Sequence, residues 1–189
     1  MSALRLAVII GSNREGRFGP TVARWFVEQA REHHELDVDL VDLAEIPLPT
    51  AIDFGAEPDA EVVDLGARLD AADAYVVVTP EYNHSFPAPL KNAIDLYREQ
   101  WRAKPVGFVS YGGMGGGLRA VEQLRLVFAE LHAVTVRDSV SFHNAWDRFD
   151  ESGRPIDEGC NGAAKGVLDQ LGWWARALKA ARAAEPYAA

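Results

Sequence analysis

The sequence predicts an α/β fold, an open parallel sheet with helices on both faces. Two observations carry that prediction. Five short apolar runs, each ended by turn residues, recur along the chain, and stretches with helical spacing of apolar residues lie between them. Parallel strands need crossover connections, and an alternation of strands and helices supplies them.

The elements follow in order. Leu4-Arg5-Leu6-Ala7-Val8-Ile9-Ile10 is a buried strand, because it is short and closed by Gly11-Ser12. Val22, Ala23, Phe26, Val27 and Ala30 then recur at helical spacing. Asp37 to Leu43 alternates Val38, Leu40 and Val41 with acids, giving a second strand, and Val62, Leu65 and Leu69 mark a second helix. Tyr75-Val76-Val77-Val78-Thr79 is the third strand and is followed by the helical stripe Leu90, Ala93, Ile94 and Tyr97. Pro105 to Ser110 is the fourth strand, with Val121, Leu124, Val127, Phe128 and Leu131 as its helix. Val134-Thr135-Val136 is the fifth, and Val167, Leu171, Trp174 and Leu178 form the last stripe, with Ala175 to Ala184 as the end of a helix. Two long loops remain, 44–58 and 141–160. The second carries Phe142, His143, Trp146 and Phe149, which suit either a site rim or subunit contact, or a loop packing its own aromatics.

At 189 residues, 48% hydrophobic and 25% charged, the chain is expected to form a single domain spanning 1–189. No apolar run approaches the roughly 18 residues of a spanning helix, and Met1-Ser2-Ala3-Leu4-Arg5 leads straight into a strand, so a cytoplasmic protein without membrane attachment is expected. The lone Cys160 cannot form an internal disulfide and has no activating neighbours. A net charge of −9 repels nucleic acid as a partner. Residues 28–73 hold 14 acidic and 2 basic residues, so an anionic ligand would dock elsewhere, for instance near Arg14 and Arg17.

Ligands of doubly wound sheets bind beyond the carboxyl ends of the strands, so the segments after the first, third and fourth strands come first. The first is Gly11-Ser12-Asn13-Arg14-Glu15-Gly16-Arg17-Phe18-Gly19-Pro20, leading into a helix whose free N–H groups favour an anion. Ser12, Thr21, Arg14 and Arg17 add donors suited to a phosphate. Gly11 to Phe18 has the glycine spacing of a nucleoside-triphosphate P-loop, but Arg17-Phe18 stands where Lys-Ser/Thr is needed, so the lysine and magnesium ligand of phosphoryl transfer are missing. The second segment, Thr79 to Pro89, has three prolines and could present backbone groups to the edge of a planar heterocycle, with Tyr82 or Phe86 either stacking on it or lying in the core. The third, Ser110 to Gly117, has five glycines in its last six positions and lets backbone approach a ligand closely. Gly113-x-Gly115-x-x-Leu118 lacks the third glycine of a dinucleotide fingerprint. His33-His34 shows no metal-ligand spacing, and a metal is not expected.

Gly11-Ser12-x-Arg14, Thr79-Pro80-Glu81-Tyr82-Asn83 with Leu90-Lys91-Asn92-Ala93-Ile94-Asp95, and the Ser110/Gly112-Gly113 loop together resemble the NADPH-dependent FMN reductase family of flavodoxin-like flavoproteins. The resemblance implies a three-layer α/β/α sandwich with a five-stranded parallel sheet of order 2-1-3-4-5, FMN at the strand carboxyl ends, and homodimers or homotetramers. It places Ser12, Arg14, Arg17, Phe18 and Gly19 on the FMN phosphate, Pro80, Glu81, Tyr82 and Asn83 along the isoalloxazine, and Ser110, Tyr111, Gly112 and Gly113 on its other side. It implies hydride transfer from NADPH or NADH to FMN and on to a small acceptor such as a flavin, a quinone or an azo compound, with no protein residue acting as acid or base. Two other readings stand beside this one: a flavodoxin-type electron carrier, and a flavin-binding module without catalysis.

Overall fold

The computed structural model describes residues 3–33, 35–51, 55 and 57–188. The start at Met1-Ser2, His34 of the His33-His34 pair, and residues 52–54 and 56 of the long loop therefore lie outside the described residues.

Five parallel strands form one sheet in the order β2-β1-β3-β4-β5: β1 (Leu4–Ile10), β2 (Leu36–Asp42), β3 (Ala74–Pro80), β4 (Pro105–Gly112) and β5 (Val134–His143). Five helices alternate with them: α1 (Gly19–Glu32), α2 (Ala60–Ala71), α3 (Ala88–Asp95), α4 (Leu118–Glu130) and α5 (Gly159–Ala184). The central strands β1, β3 and β4 are apolar because both their faces are covered, and all seven residues of β3 are buried. Period-two geometry then divides the core. Leu6, Val8, Ile10, Val76, Val78, Val109 and Tyr111 face α1 and α5, while Ala7, Ile9, Tyr75, Val77, Val106 and Phe108 face α2, α3 and α4. The result is a three-layer sandwich.

One element differs from its sequence expectation. The fifth strand runs ten residues rather than three, and so takes in the start of the long loop at 141. It is an edge strand, buried at Val136, Val140 and Phe142, and a register shift opposite Val106/Phe108 breaks the alternation that would have revealed it. The rest of that loop packs most of its own aromatics. Phe142 and Phe149 are buried against Trp25, and Phe149 also meets the Phe18 ring with centroids 5.4 Å apart. Trp101, which falls off the predicted stripes, is likewise fully buried against Tyr75 and Phe128.

Strand order places the site. The neighbours β1, β3 and β4 end side by side, with Ile10 opposite Val78, Thr79 opposite Ser110 and Pro80 opposite Tyr111. The chain reverses its direction of sheet growth between β1 and β3, which is where doubly wound sheets open a crevice.

Candidate functional site

The loop after β1 is organised around a buried hydroxyl. Ser12 Oγ accepts a hydrogen bond from Arg14 N (3.3 Å) and shares another of 2.8 Å with Tyr82 Oη, so it joins two loops that are 70 residues apart in sequence. Arg17 N donates to Arg14 O (3.2 Å), and Gly16 at φ +66° completes the turn. Arg17 Nη2 donates to Asp42 Oδ2 at 2.6 Å, while its buried Nε has no hydrogen-bond partner. No side chain caps α1 at Phe18, and its first turn holds no acid, which keeps the positive end of the helix open toward the loop. A Cβ at Gly19 would lie 2.9 Å from both Ile10 Cγ2 and the Tyr111 hydroxyl, so glycine is what allows α1 to begin this close to the sheet. That hydroxyl is buried without a partner. Burial pushes its pKa well above that of an ordinary phenol, against an opposing pull from the Arg17 guanidinium.

The loop after β3 is a two-residue hairpin. Tyr82 and Ser85 pair as an antiparallel bridge around Asn83 (φ 50°) and His84 (φ 73°), the left-handed pair that such a tight turn requires. Helix α4 clamps it: Ser85 Oγ donates to Gln123 Oε1 at 2.6 Å and Gln123 Nε2 donates to His84 O at 2.8 Å. The Arg14 guanidinium lies 3.9 Å from the centre of the Tyr82 ring. Tyr82 is therefore a strut between loops, held at its hydroxyl by Ser12 and on one face by Arg14. Phe86 packs partly buried on the α2–α4 side of the core, and Asn83 sits exposed at the hairpin tip. Pro80 is buried at the end of β3, and Glu81 N donates to Tyr111 O.

The loop after β4 folds back on itself. Ser110 Oγ and Ser141 Oγ both donate to Gly116 O, at 2.8 and 2.7 Å. Left-handed backbone occurs at Gly116 and Gly117, and a Cβ on Gly117 would stand 2.6 Å from Ser110 Cβ. Gly112 and Gly113 have no positive φ; a Cβ at Gly112 would already touch Gly117 N at 3.4 Å, whereas one at Gly113 would meet nothing closer than the Trp146 ring at 3.6 Å. Asn144 N donates to Gly113 O (3.0 Å) and His143 Nδ1 lies 2.7 Å from Met114 O, so the chain after β5 braces the loop from outside.

Of the thirteen residues proposed from sequence, twelve fall on these three adjoining loops or the strand ends that carry them, and Gly19 is the first residue of α1. Sequence reasoning missed their partners. Asp42, which holds Arg17, ends β2 on the same side of the sheet, and the rule that pointed to the other strand ends would have found it. Arg119, Gln123 and His143 brace the loops from helix and edge strand, and only the fold brings them there. A cleft of about 330 Å³ borders the first loop at Asn13 and runs between Ile46, Leu48 and Thr50 on one side and Ala88, Pro89 and Asn92 on the other. Among the described residues no group of three or more His, Cys, Asp or Glu is placed to hold a metal ion, and no helix is long and apolar enough to cross a membrane.

The sequence profile of a family described as NADPH-dependent FMN reductase matches residues 4–147. An NAD(P)H-dependent FMN reductase of Schizosaccharomyces pombe is 37% identical over 124 residues, and the match spans 60% of this chain and 60% of the yeast protein's own length. A probable NADPH:quinone oxidoreductase of Oryza sativa is 31% identical over 197 residues, covering 99% of this chain and 96% of the rice protein. An FMN-dependent NADPH-azoreductase of Staphylococcus haemolyticus is 30% identical, covering 80% of this chain and 84% of its own. Among solved structures, the NAD(P)H:(acceptor) oxidoreductase FerB from Paracoccus denitrificans shares the fold with a TM-score of 0.76 at 23% identity, covering 90% of this chain and 98% of that one.

Proposed function

The chain belongs to the NADPH-dependent FMN reductase family, and we propose that it acts as one domain that binds FMN at the carboxyl ends of β1, β3 and β4 and passes reducing equivalents from NADPH or NADH to a small electron acceptor. One observation carries the reading. Two buried polar atoms without partners, Arg17 Nε and Tyr111 Oη, lie at the open N-terminus of α1, where the loop after β1 adds two arginines and Ser12. Such a donor set suits one compact dianion, a terminal monophosphate, and it has neither the lysine nor the magnesium ligand of a triphosphate site. Gly113 fits the other end of the ligand, because its bare backbone borders space that a flat ring system can fill, whereas Gly115, Gly116 and Gly117 are packed against Arg119, Ser141 and Ser110.

In this reading Ser12, Arg14, Arg17, Phe18 and Gly19 hold the phosphate. Arg17 is oriented for this by Asp42, and Phe18 anchors the start of α1 through Phe149. The backbones of Pro80, Glu81, Tyr82 and Asn83 line one side of the rings, and those of Ser110, Tyr111, Gly112 and Gly113 the other. Bound FMN supplies two-electron exchange between a nicotinamide and a second substrate. The protein's part is orientation: the Ser12–Tyr82 hydrogen bond and the α4 clamp fix both loops before any ligand arrives, which spares their ordering cost. The names of the rice and staphylococcal relatives support quinones and azo compounds as acceptors. We further propose a cytoplasmic homodimer or homotetramer. Trp146 and Trp173, 61% and 59% exposed, are the large aromatics that a subunit contact would cover.

The test is direct. NADPH or NADH added without oxygen to the FMN-loaded protein bleaches the flavin absorbance, and menadione restores it. A loaded protein that neither nicotinamide bleaches is an electron carrier or a binding module instead.

A further inference from the structure

Glu81 contributes its backbone to the loop after β3, but its side chain does something else. The carboxylate is only 7% exposed and turns into the seam between that loop and the glycine loop. Oε1 lies 2.6 Å from Arg119 Nη2, and Oε2 accepts a 3.2 Å hydrogen bond from Arg119 N in the first turn of α4. A Cβ at Gly115 would stand 3.0 Å from both carboxylate oxygens and would collide with Arg119 Nη2, while one at Gly112 would stand 3.8 Å from Glu81 Cβ. The ion pair is thus seated against bare glycine backbone. Arg119 also reaches the hairpin, with Nη1 3.1 Å from His84 Nδ1.

A buried carboxylate in that seam is an electrostatic hazard for any ligand that gains negative charge beside it. Its countercharges are the Arg119 guanidinium and the positive end of α4. Reduced FMN is more negative than oxidised FMN. We propose that Glu81 and Arg119 form a charge-balanced positioning pair that sets how much more weakly or tightly the site binds reduced than oxidised FMN, in addition to pinning the two loops together. This rests on the FMN reading above. The two members act with opposite sign: without Arg119 the unpaired carboxylate repels the reduced form, and without the Glu81 charge the unpaired guanidinium attracts it.

The experiment measures the affinity for oxidised FMN by titration, and then the midpoint potential of the bound flavin by equilibration against a dye of known potential. The proteins compared are the wild type, Arg119→Ala, Glu81→Gln and the double variant. Arg119→Ala is expected to bind reduced FMN about tenfold more weakly relative to oxidised, which lowers the potential by about 30 mV for a two-electron couple. Glu81→Gln is expected to raise it, and the double variant to return close to wild type. A pair that only braced the loops would move both single variants the same way, which overturns the proposal, as does a potential unchanged in either. If Arg119→Ala fails to fold, Glu81→Gln decides alone, with a raised potential in support and an unchanged or lowered one against. A folded wild type that takes up no FMN in the first titration removes the underlying reading itself, and that outcome is seen before any variant is compared.

Discussion

The two ends of the sheet solve opposite problems with the same kinds of residue. At the amino end, the buried charges of Asp73 and Lys104 are paired within the protein, although His33 Nδ1 and Arg102 Nε there are also buried without a hydrogen-bond partner. Asp73 accepts from Arg5 N at 3.0 Å and Lys179 Nζ at 2.8 Å, with Arg182 3.9 Å away, so the start of β3 is tied to the end of α5. Lys104 Nζ donates to the carbonyls of Leu69 and Asp70 and to Tyr75 Oη, closing the end of α2. At the carboxyl end, Arg17 Nε and Tyr111 Oη are buried and unpartnered, and glycine replaces side chain where the loops converge. Paired buried charges at one end, against glycine backbone beside unpartnered donors at the other, distinguish the part of the molecule that holds the fold from the part proposed to hold a ligand.

The contrast predicts that damage at each end is read by different assays. The largest effect falls on Asp73→Ala, which strips the buried partner from a backbone amide and from Lys179 and is expected to cost about 3 kcal/mol in a denaturant melt. The FMN dissociation constant of the surviving folded protein should stay within about twofold, because the change lies beyond the reach of direct contact. Arg17→Ala should do the reverse and weaken FMN binding by about 2 kcal/mol, roughly thirtyfold in dissociation constant. A large stability loss with unaltered FMN affinity in Arg17→Ala would make its Asp42 pair structural and would break the contrast.

Lys104 sharpens the comparison through pH. Burial lowers its pKa to about 8 from an ordinary 10.5, so the folded state gives up a proton that the unfolded chain still holds between those values. The unfolded state then binds more protons at this site, so Lys104 contributes a rise in stability of roughly 2 kcal/mol between pH 8 and 10, opposed in part by Cys160, whose thiol pKa burial raises. Above pH 10 the trend turns, because buried Tyr75 and Tyr111 keep protons that the unfolded chain loses. Lys104→Met should flatten the rise in a melting-temperature series across that window. The smallest effect belongs to Tyr111→Phe. Removing a hydroxyl that has no partner should change the stability of the ligand-free protein by no more than about 0.5 kcal/mol, whereas a partnered buried hydroxyl would cost about 1 or more.

The sequence made the central strands plain, because β1, β3 and β4 are buried on both faces and read as short apolar runs. The loops that follow them were legible for the same topological reason, since the strand ends locate a crevice. What escaped was whatever depends on side chains meeting across the fold. Arg14 and Tyr82 are each chemically suited to a ligand, yet they contact one another. Arg17 looks free in sequence but is shared with Asp42, 25 residues away. Left-handed backbone occurs at Gly116 and Gly117 and not at Gly112 or Gly113, a distinction that a run of glycines cannot express. The edge strand β5 reads as shorter than it is because polar residues and a register shift hide its buried positions.

The central claim is that the carboxyl end of this sheet is a cradle for a flavin with a single terminal phosphate. Competitive titration of the ligand-free protein with FMN and FAD, followed by flavin fluorescence, tests it most directly. The donor cluster at Ser12, Arg14, Arg17 and the start of α1 predicts that FMN binds more tightly than FAD and that Arg17→Ala narrows the difference. FAD binding more tightly than FMN, or a preference for FMN that survives Arg17→Ala at full strength, would contradict it.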